Sequence, residues 1–355
     1  MVDVSLKLDE LFEITASREA SDLHFVAGRH PTIRIDGTLV PLVKEAVLTP
    51  QDIENFAFTL TSPAQKKRFL EEGEIDFAWS FKGKARFRIN VYHERGFIAV
   101  ASRFIPSKIR SLSELNLPTT LSRFTQYSQG LLLVVGPTGH GKSSTLAALL
   151  DSINHSRNVH ILTIEDPIEY LFEPDRALIT QREVRADTKD FHVALTYALR
   201  QDPDVIMVGE MRDPETIATA ITAAETGHLV YATLHTNSAS QTIDRIIDSF
   251  PGYQQSQVRA QLAQILLGVL SERLLPRTGS GRIPACEIMI ANSAIRNLIR
   301  ENKTHQIDMV IATNFEEGMV SLDRYLADLV KRGEISIETA QLYSLNSAGM
   351  RELIG

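Results

Sequence analysis

Apolar positions in the N-terminal third mix helical and strand spacing. Leu8, Leu11, Phe12 and Thr15 share one helix face. Ser21-Asp22-Leu23-His24-Phe25 opens a strand-like run, and Pro31–Leu39 alternates in polarity around the turn signal Asp36-Gly37, which predicts a hairpin. Phe77–Phe81 and Ala85–Tyr92 predict a second strand pair joined by Lys82-Gly83-Lys84. These elements make a small α+β domain on an antiparallel sheet, placed at residues 1–105. Periodicity weakens from Ile105 to Leu121, where Pro106, several serines and Pro118 mark a linker at 106–121.

The pattern changes after Gly130. Leu131–Val135, Val159–Ile164, Val205–Val208 and Leu229–Leu234 are short apolar runs without alternation, as expected for parallel strands buried on both faces. Helical spacing follows: Ile217, Ala220, Ile221 and Ala224 sit behind Asp213-Pro214, a capping residue followed by proline at the first helical position. Ile243, Ile246, Ile247 and Phe250 repeat the spacing. Strands alternating with helices predict an α/β domain over 122–355, its sheet covered on both faces.

Within that domain, Gly136-Pro137-Thr138-Gly139-His140-Gly141-Lys142-Ser143 matches the phosphate-loop pattern G-x-x-x-x-G-K-[ST] at every fixed position. The flanking strand and a helix carrying Leu146, Leu149, Leu150 and Ile153 on one face supply the context the motif needs. Glycines let backbone N–H groups turn towards phosphates at a helix N-terminus. Lys142 can reach β- and γ-phosphates, and the Ser143 hydroxyl can ligate Mg²⁺. The His140 side chain is expected to point away from the phosphates.

Such a loop hydrolyses ATP only with an acid nearby. Asp204–Glu210 runs through four apolar residues into Gly209 and Glu210, which places Glu210 at the carboxyl edge of the sheet, where it can hold Mg²⁺ through water or polarise the attacking water. Thr163–Glu169 ends another strand with Glu165, a candidate general base. Gly227–Asn237 is a strand bracketed by His228 and His235; His235, at the carboxyl end, is the candidate for sensing the γ-phosphate. Histidines beside strands are more often structural hydrogen-bonders, and a lone acidic turn is usually solvated. These residues gain weight from the phosphate loop.

Composition narrows the reading. A hydrophobic share of 43% with 23% charged residues is ordinary for a soluble globular chain. The net charge of −7 argues against binding nucleic acid by phosphate neutralisation. The single cysteine, Cys286, rules out an intramolecular disulfide and a four-thiolate zinc site, and fits a reducing compartment. The N-terminus carries acids where a signal peptide is basic, and the longest apolar stretch, Leu262–Leu270, is too short to span a bilayer. We expect a cytoplasmic chain that reaches a membrane only through partners.

Together the segments Gly136–Ser143, Thr163–Glu169, Asp204–Glu210 and Gly227–His235 resemble the Walker A, aspartate, atypical Walker B and histidine boxes of the secretion ATPase superfamily of type II and type IV pilus systems. Ala20–His24, Gln181–Val184 and the tract Ala294-Ile295-Arg296-Asn297-Leu298-Ile299-Arg300-Glu301 are similar to its pilus retraction branch. The resemblance runs from the start to about residue 310. His140 and Ser144 depart from the common GPTGSGKST form without removing a needed group, and nothing carries over to the tail beyond residue 312.

The resemblance implies a PAS-like N-terminal domain, a RecA-like ATPase domain and a homohexameric ring that uses ATP and Mg²⁺. Glu165 would be the catalytic glutamate and Glu210 would hold Mg²⁺ and water. Arg88, Arg95 and Arg103 would be candidate arginine fingers, although an arginine on a strand is more often a surface charge. The 294–301 helix reads either as a packed surface helix or as a segment needed for retraction but not hydrolysis. The expected partners are an inner-membrane pilus platform protein and a retraction ATPase paralogue, with the chain acting at the cytoplasmic face. Rival readings are an accessory retraction paralogue and an assembly or type II secretion ATPase. The latter is disfavoured because such relatives usually carry a longer N-terminal extension and often a four-cysteine module. A nucleotide-gated structural ring conflicts with the intact Glu165 and Glu210, and a DNA translocase with the acidic charge.

Overall fold

Residues that alternate in burial build the first sheet, and residues buried without interruption build the second. The computed structural model describes residues 4–18, 20–35, 37–81, 85–106 and 108–355. Its contacts divide the chain into two units, Met1–Lys108 with Pro167–Leu171, and Ile109–Asp166 with Phe172–Gly355.

The first unit contains helix α1 (Val4–Ser17), strands β1 (Asp22–Phe25), β2 (Thr32–Ile35) and β3 (Thr38–Pro41), helices α2 (Pro50–Leu60) and α3 (Pro63–Glu72), and strands β4 (Glu74–Phe81), β5 (Ala85–Glu94) and β6 (Phe97–Pro106). The strands pair antiparallel in the order β3-β2-β1-β6-β5-β4. On β5, Ala85, Phe87, Ile89 and Val91 are buried while Arg86, Arg88 and Asn90 between them are partly exposed. The buried face joins Leu8, Leu11 and Phe12 of α1 and Ile53 and Phe56 of α2 in one core. Thr49 and Ser62 start α2 and α3 with capping boxes ahead of Pro50 and Pro63, satisfying N–H groups that the helices leave unpaired. Of the two expected turns, Asp36 and Lys82-Gly83-Lys84 lie outside the described residues. This is the PAS-like domain.

The second unit is RecA-like. Its strands are β7 (Gly130–Val135), β8 (His160–Glu165), β9 (Leu178–Glu183), β10 (Val205–Val208), β11 (Leu229–Leu234), β12 (Leu266–Pro276) and β13 (Arg282–Ile290), in the order β13-β12-β7-β11-β10-β8-β9. All neighbours run parallel except β12 and β13. Every residue of β7, β10 and β11 is buried, because helices cover both faces of the sheet. Those helices are α4 (Lys142–Ser156), α5 (Phe191–Ala198), α6 (Pro214–Glu225), α7 (Ala239–Asp248) and α8 (Gly252–Ile265); α9 (Ser293–Arg300) and α10 (Ile307–Thr313) follow. Asp213 caps α6 by accepting the Thr216 N–H at 2.7 Å. Parallel order places the carboxyl ends of β7, β11, β10 and β8 along one edge.

Three strands carry no periodic signal. Edge strand β9 is mostly half-buried, and β12 and β13 form a long hairpin in which Ser271-Glu272-Arg273 interrupts the apolar run. The stretch Leu262–Leu270 is divided in the fold, since α8 ends at Ile265 and β12 begins at Leu266. Leu117 and Leu121 are buried in the core of this unit. A smaller core joins Leu275, Ile283 and Ala285 to helices α11 (Leu322–Lys331), α12 (Ile337–Tyr343) and α13 (Ser347–Ile354).

Candidate active site

The phosphate loop leaves β7 at Gly136 and enters α4 at Lys142. Two of its glycines are required by both backbone and packing. Gly136 and Gly141 have φ of 144° and 104°, which side-chain-bearing residues rarely adopt. A Cβ on Gly141 would lie 2.6 Å from Glu272 Oε1, and one on Gly136 would fall inside contact distance of the Glu272 carbonyl. Lys142 folds back over the loop, its Nζ donating to the carbonyls of Gly136 at 2.7 Å and Pro137 at 3.0 Å. Ser143 is exposed at the start of α4, and Ser144 is partly exposed behind it. His140 turns towards β12 and accepts the Leu274 N–H at Nδ1, 3.0 Å away. Strand β7 has already ended there, so the imidazole supplies the acceptor that the sheet no longer offers. Burial, then the charges of Arg273 and Lys142, lower the His140 pKa.

His235, just past β11, bridges this loop to the acid at the end of β10. Its Nδ1 lies 3.4 Å from Thr138 Oγ1 and 3.5 Å from Lys142 Nζ, and its Nε2 lies 3.0 Å from Glu210 Oε1. Nε2 therefore faces the carboxylate and Nδ1 faces the loop. Glu210 also accepts from Arg212 Nη2 at 2.7 Å. Burial alone would raise the Glu210 pKa; the Arg212 hydrogen bond and the His235 charge outweigh it, and the net shift is downward. Thr233 Oγ1 donates to the Gly209 carbonyl and tethers the β10 end to β11.

Glu165 ends β8 beside Gly209, whose N–H donates to the Ile164 carbonyl at 2.8 Å. Its Oε1 accepts from Thr163 Oγ1 at 2.6 Å and Gln181 Nε2 at 3.2 Å, which orients the buried carboxyl. His228 sits at the far end of β11, its Nδ1 donating to the Ala223 carbonyl at 2.9 Å. The three arginines belong to the first unit, each ion-paired there: Arg88 with Asp76, Arg103 with Asp22 at 3.0 Å, and Arg95 with Glu94 at 2.8 Å.

Strand β12 supplies side chains that sequence pattern did not nominate. Glu272 accepts from Thr145 Oγ1 at 2.8 Å beneath the loop. Arg273 points to the other side, where its Nη2 donates to the Asn237 carbonyl at 2.7 Å, and Ser271 Oγ donates to the same carbonyl at 3.0 Å. Glu287 of β13 accepts the Ala239 N–H at 2.7 Å. Burial pushes the Glu272 and Glu287 carboxyls up to about 7, against the opposing hydrogen bonds they accept. One signal was available: adjacent charges inside an otherwise apolar run.

The 294–301 tract also gains a structural account. Arg296 of α9 donates to the carbonyls of Ala291, Ala263, Gln264 and Leu266 at 2.5–2.8 Å, so one guanidinium closes the C-terminal end of α8 and anchors the start of β12.

The Ser143 hydroxyl and the Glu210 carboxylate are hard oxygen donors, and Mg²⁺ commonly takes only one or two protein oxygens beside phosphate and water. The donor set fits that ion.

A RecA-like sheet with this loop, a strand-end acid on each of two neighbouring strands and a histidine between loop and acid defines a P-loop ATPase domain. Residues 4–314 match the family described as type II/IV secretion system protein, and the chain belongs to that family. It is 46% identical to the type IV pilus retraction ATPase PilT of Pseudomonas aeruginosa, over 95% of this chain and 97% of that one. It is 36% identical to the type IV pilus ATPase PilU of the same organism, over 98% and 91% of the two chains. A crystal structure of the pilus retraction motor PilT with bound ADP superposes with a TM-score of 0.90 at 45% identity, covering 97% of this chain and 98% of that one.

Proposed function

We propose that this chain is an ATP-hydrolysing motor that powers type IV pilus retraction. The observation that carries the reading is the bridge from Lys142 and Thr138 through His235 to Glu210, in a chain 46% identical to a retraction ATPase. Lys142, with the loop N–H groups, binds the phosphates of ATP. Glu165 accepts a proton from the attacking water, held in place by Thr163 and Gln181. Glu210 holds water at the metal position, and His235 links its carboxylate to the loop. Ser143 would hold Mg²⁺, which would supply charge neutralisation for the phosphates. The assembly is a homohexamer at the cytoplasmic face of the inner membrane, working on a pilus platform protein. Arg88, Arg95 and Arg103 are the candidate fingers and would have to exchange Asp76, Glu94 and Asp22 for phosphate.

Steady-state ATPase assays on wild type and Glu165→Gln, with light scattering on the eluting species, test this. Turnover should fall at least ~100-fold in the variant, the usual scale for losing a general base, and the wild type should elute as a hexamer. Near-normal turnover in Glu165→Gln would sink the assignment. The 36% identity to PilU supports a second reading, an accessory retraction ATPase. Restoring twitching in a strain that lacks its main motor, but retains the accessory one, separates the two.

A further inference from the structure

We infer that Glu272 is a positioning residue for the phosphate loop: from β12 it sets the first turn of α4, and with it Lys142 and Ser143, for nucleotide binding. The inference rests on the ATP-binding role proposed for that loop. Glu272 is 3% exposed in a strand whose neighbours Leu270, Leu274 and Leu275 are apolar. A leucine there would fill space without the desolvation that a buried carboxyl suffers. What the carboxyl adds is a directed acceptor. Its Oε2 accepts a hydrogen bond from the hydroxyl of Thr145, three residues past Lys142 and two past Ser143, on the buried side of the helix. Its Oε1 lies against Gly141, the left-handed residue that turns the loop into α4. The Glu272 carbonyl backs Gly136 at the other end of the loop. One residue therefore contacts the entry of the loop, its exit and the helix that carries its cation.

This arrangement predicts where substitutions act. Loss of the Glu272–Thr145 bond loosens the first turn of α4 against β12, and Lys142 and Ser143 with it. Affinity for nucleotide should suffer before the chemical step, because Glu165 and Glu210 stand on other strands. Gln keeps an oxygen for Thr145 in the same volume, and Thr145→Ser keeps the donor.

The test is ADP binding by calorimetry together with kcat for ATP on the full chain, for Glu272→Ala, Glu272→Gln, Thr145→Val and Thr145→Ser. Melting and size-exclusion controls accompany each. We expect Glu272→Ala and Thr145→Val each to weaken ADP about tenfold, the scale of one charge-assisted hydrogen bond. The double variant should lose little more than either one, as coupled partners do. Glu272→Gln and Thr145→Ser should stay within about threefold of wild type. Unchanged ADP affinity in Glu272→Ala with only a lowered Tm would overturn the inference, as would an equal loss in Glu272→Gln. If Glu272→Ala does not fold, the Thr145 pair decides by the same criteria. Wild type that fails to bind ADP at all would instead refute the ATP-binding role itself.

Discussion

Charged side chains meet water on opposite terms in the two units. In the first, Arg88, Arg95 and Arg103 stand on or beside strands of a sheet with one polar face, paired with Asp76, Glu94 and Asp22 while keeping 40%, 84% and 62% of their side-chain surface exposed. In the second, Glu272, Glu287 and Arg273 lie inside a sheet covered on both faces, at 3%, 4% and 7% exposure. Their partners are backbone groups and a hydroxyl more than opposing charges. Exposed pairs exchange cheaply with water, whereas a buried group left without its partner bears the full desolvation penalty. Charge in the first unit is replaceable, and charge in the second is committed to its partners.

The largest test of that contrast lies at the site. Lys142→Ala should lower ATP turnover by ~100-fold or more, since nothing else in the loop carries a positive charge to stabilise phosphate; a steady-state assay reads this, and near-normal turnover would break the picture. Next comes Arg296→Ala. It removes this donor from three carbonyls at the α8–β12 junction and from that of Ala291 after β13, and should cost about 3 kcal/mol in denaturant unfolding. Should that variant unfold like wild type, the clamp has no energetic role.

A pH series examines the buried carboxyls. Burial raises the Glu287 carboxyl from the usual 4.5 to about 7 in the folded chain. Between those values the folded chain binds a proton that the unfolded chain has released, so stability falls as pH rises through the window. Glu287→Gln removes that slope while keeping an acceptor for Ala239, and should gain on wild type by up to roughly 3 kcal/mol from pH 5 to pH 8. Parallel pH curves for the two proteins would contradict it. The smallest effects belong to the first unit. Arg88→Ala should change stability by less than about 1 kcal/mol, and Arg95→Ala should leave Tm unmoved. A large loss from either would erase the contrast.

Local pattern was enough for much of the architecture. Helix α1 was legible because Leu8, Leu11, Phe12 and Thr15 repeat at its turn length, and all four are buried on it. The antiparallel pairs were legible from alternation, and β7, β8, β10 and β11 from mainly apolar runs that do not alternate, because a strand's period reports how many of its faces are covered. The phosphate loop, Glu165, Glu210 and His235 could be nominated for a related reason. Glycine spacing and strand-end acids are local consequences of binding phosphate at the carboxyl edge of a parallel sheet.

Strand β9 escaped because an edge strand is only half-covered and keeps no clean period, and the helix-to-strand change at Ile265–Leu266 escaped because both sides are apolar. The sequence by itself determined the elements with a clean period, α1, β7, β10 and β11 among them, and that the phosphate-loop motif follows β7. Only the tertiary structure decided what lies beneath that loop. Glu272 and Thr145 are 127 residues apart, and the order β12-β7-β11 makes them neighbours. The same order explains why His140 meets Leu274 and Arg273 meets Asn237. Strand order is settled by which apolar faces cover one another across the whole unit, and no local period encodes it.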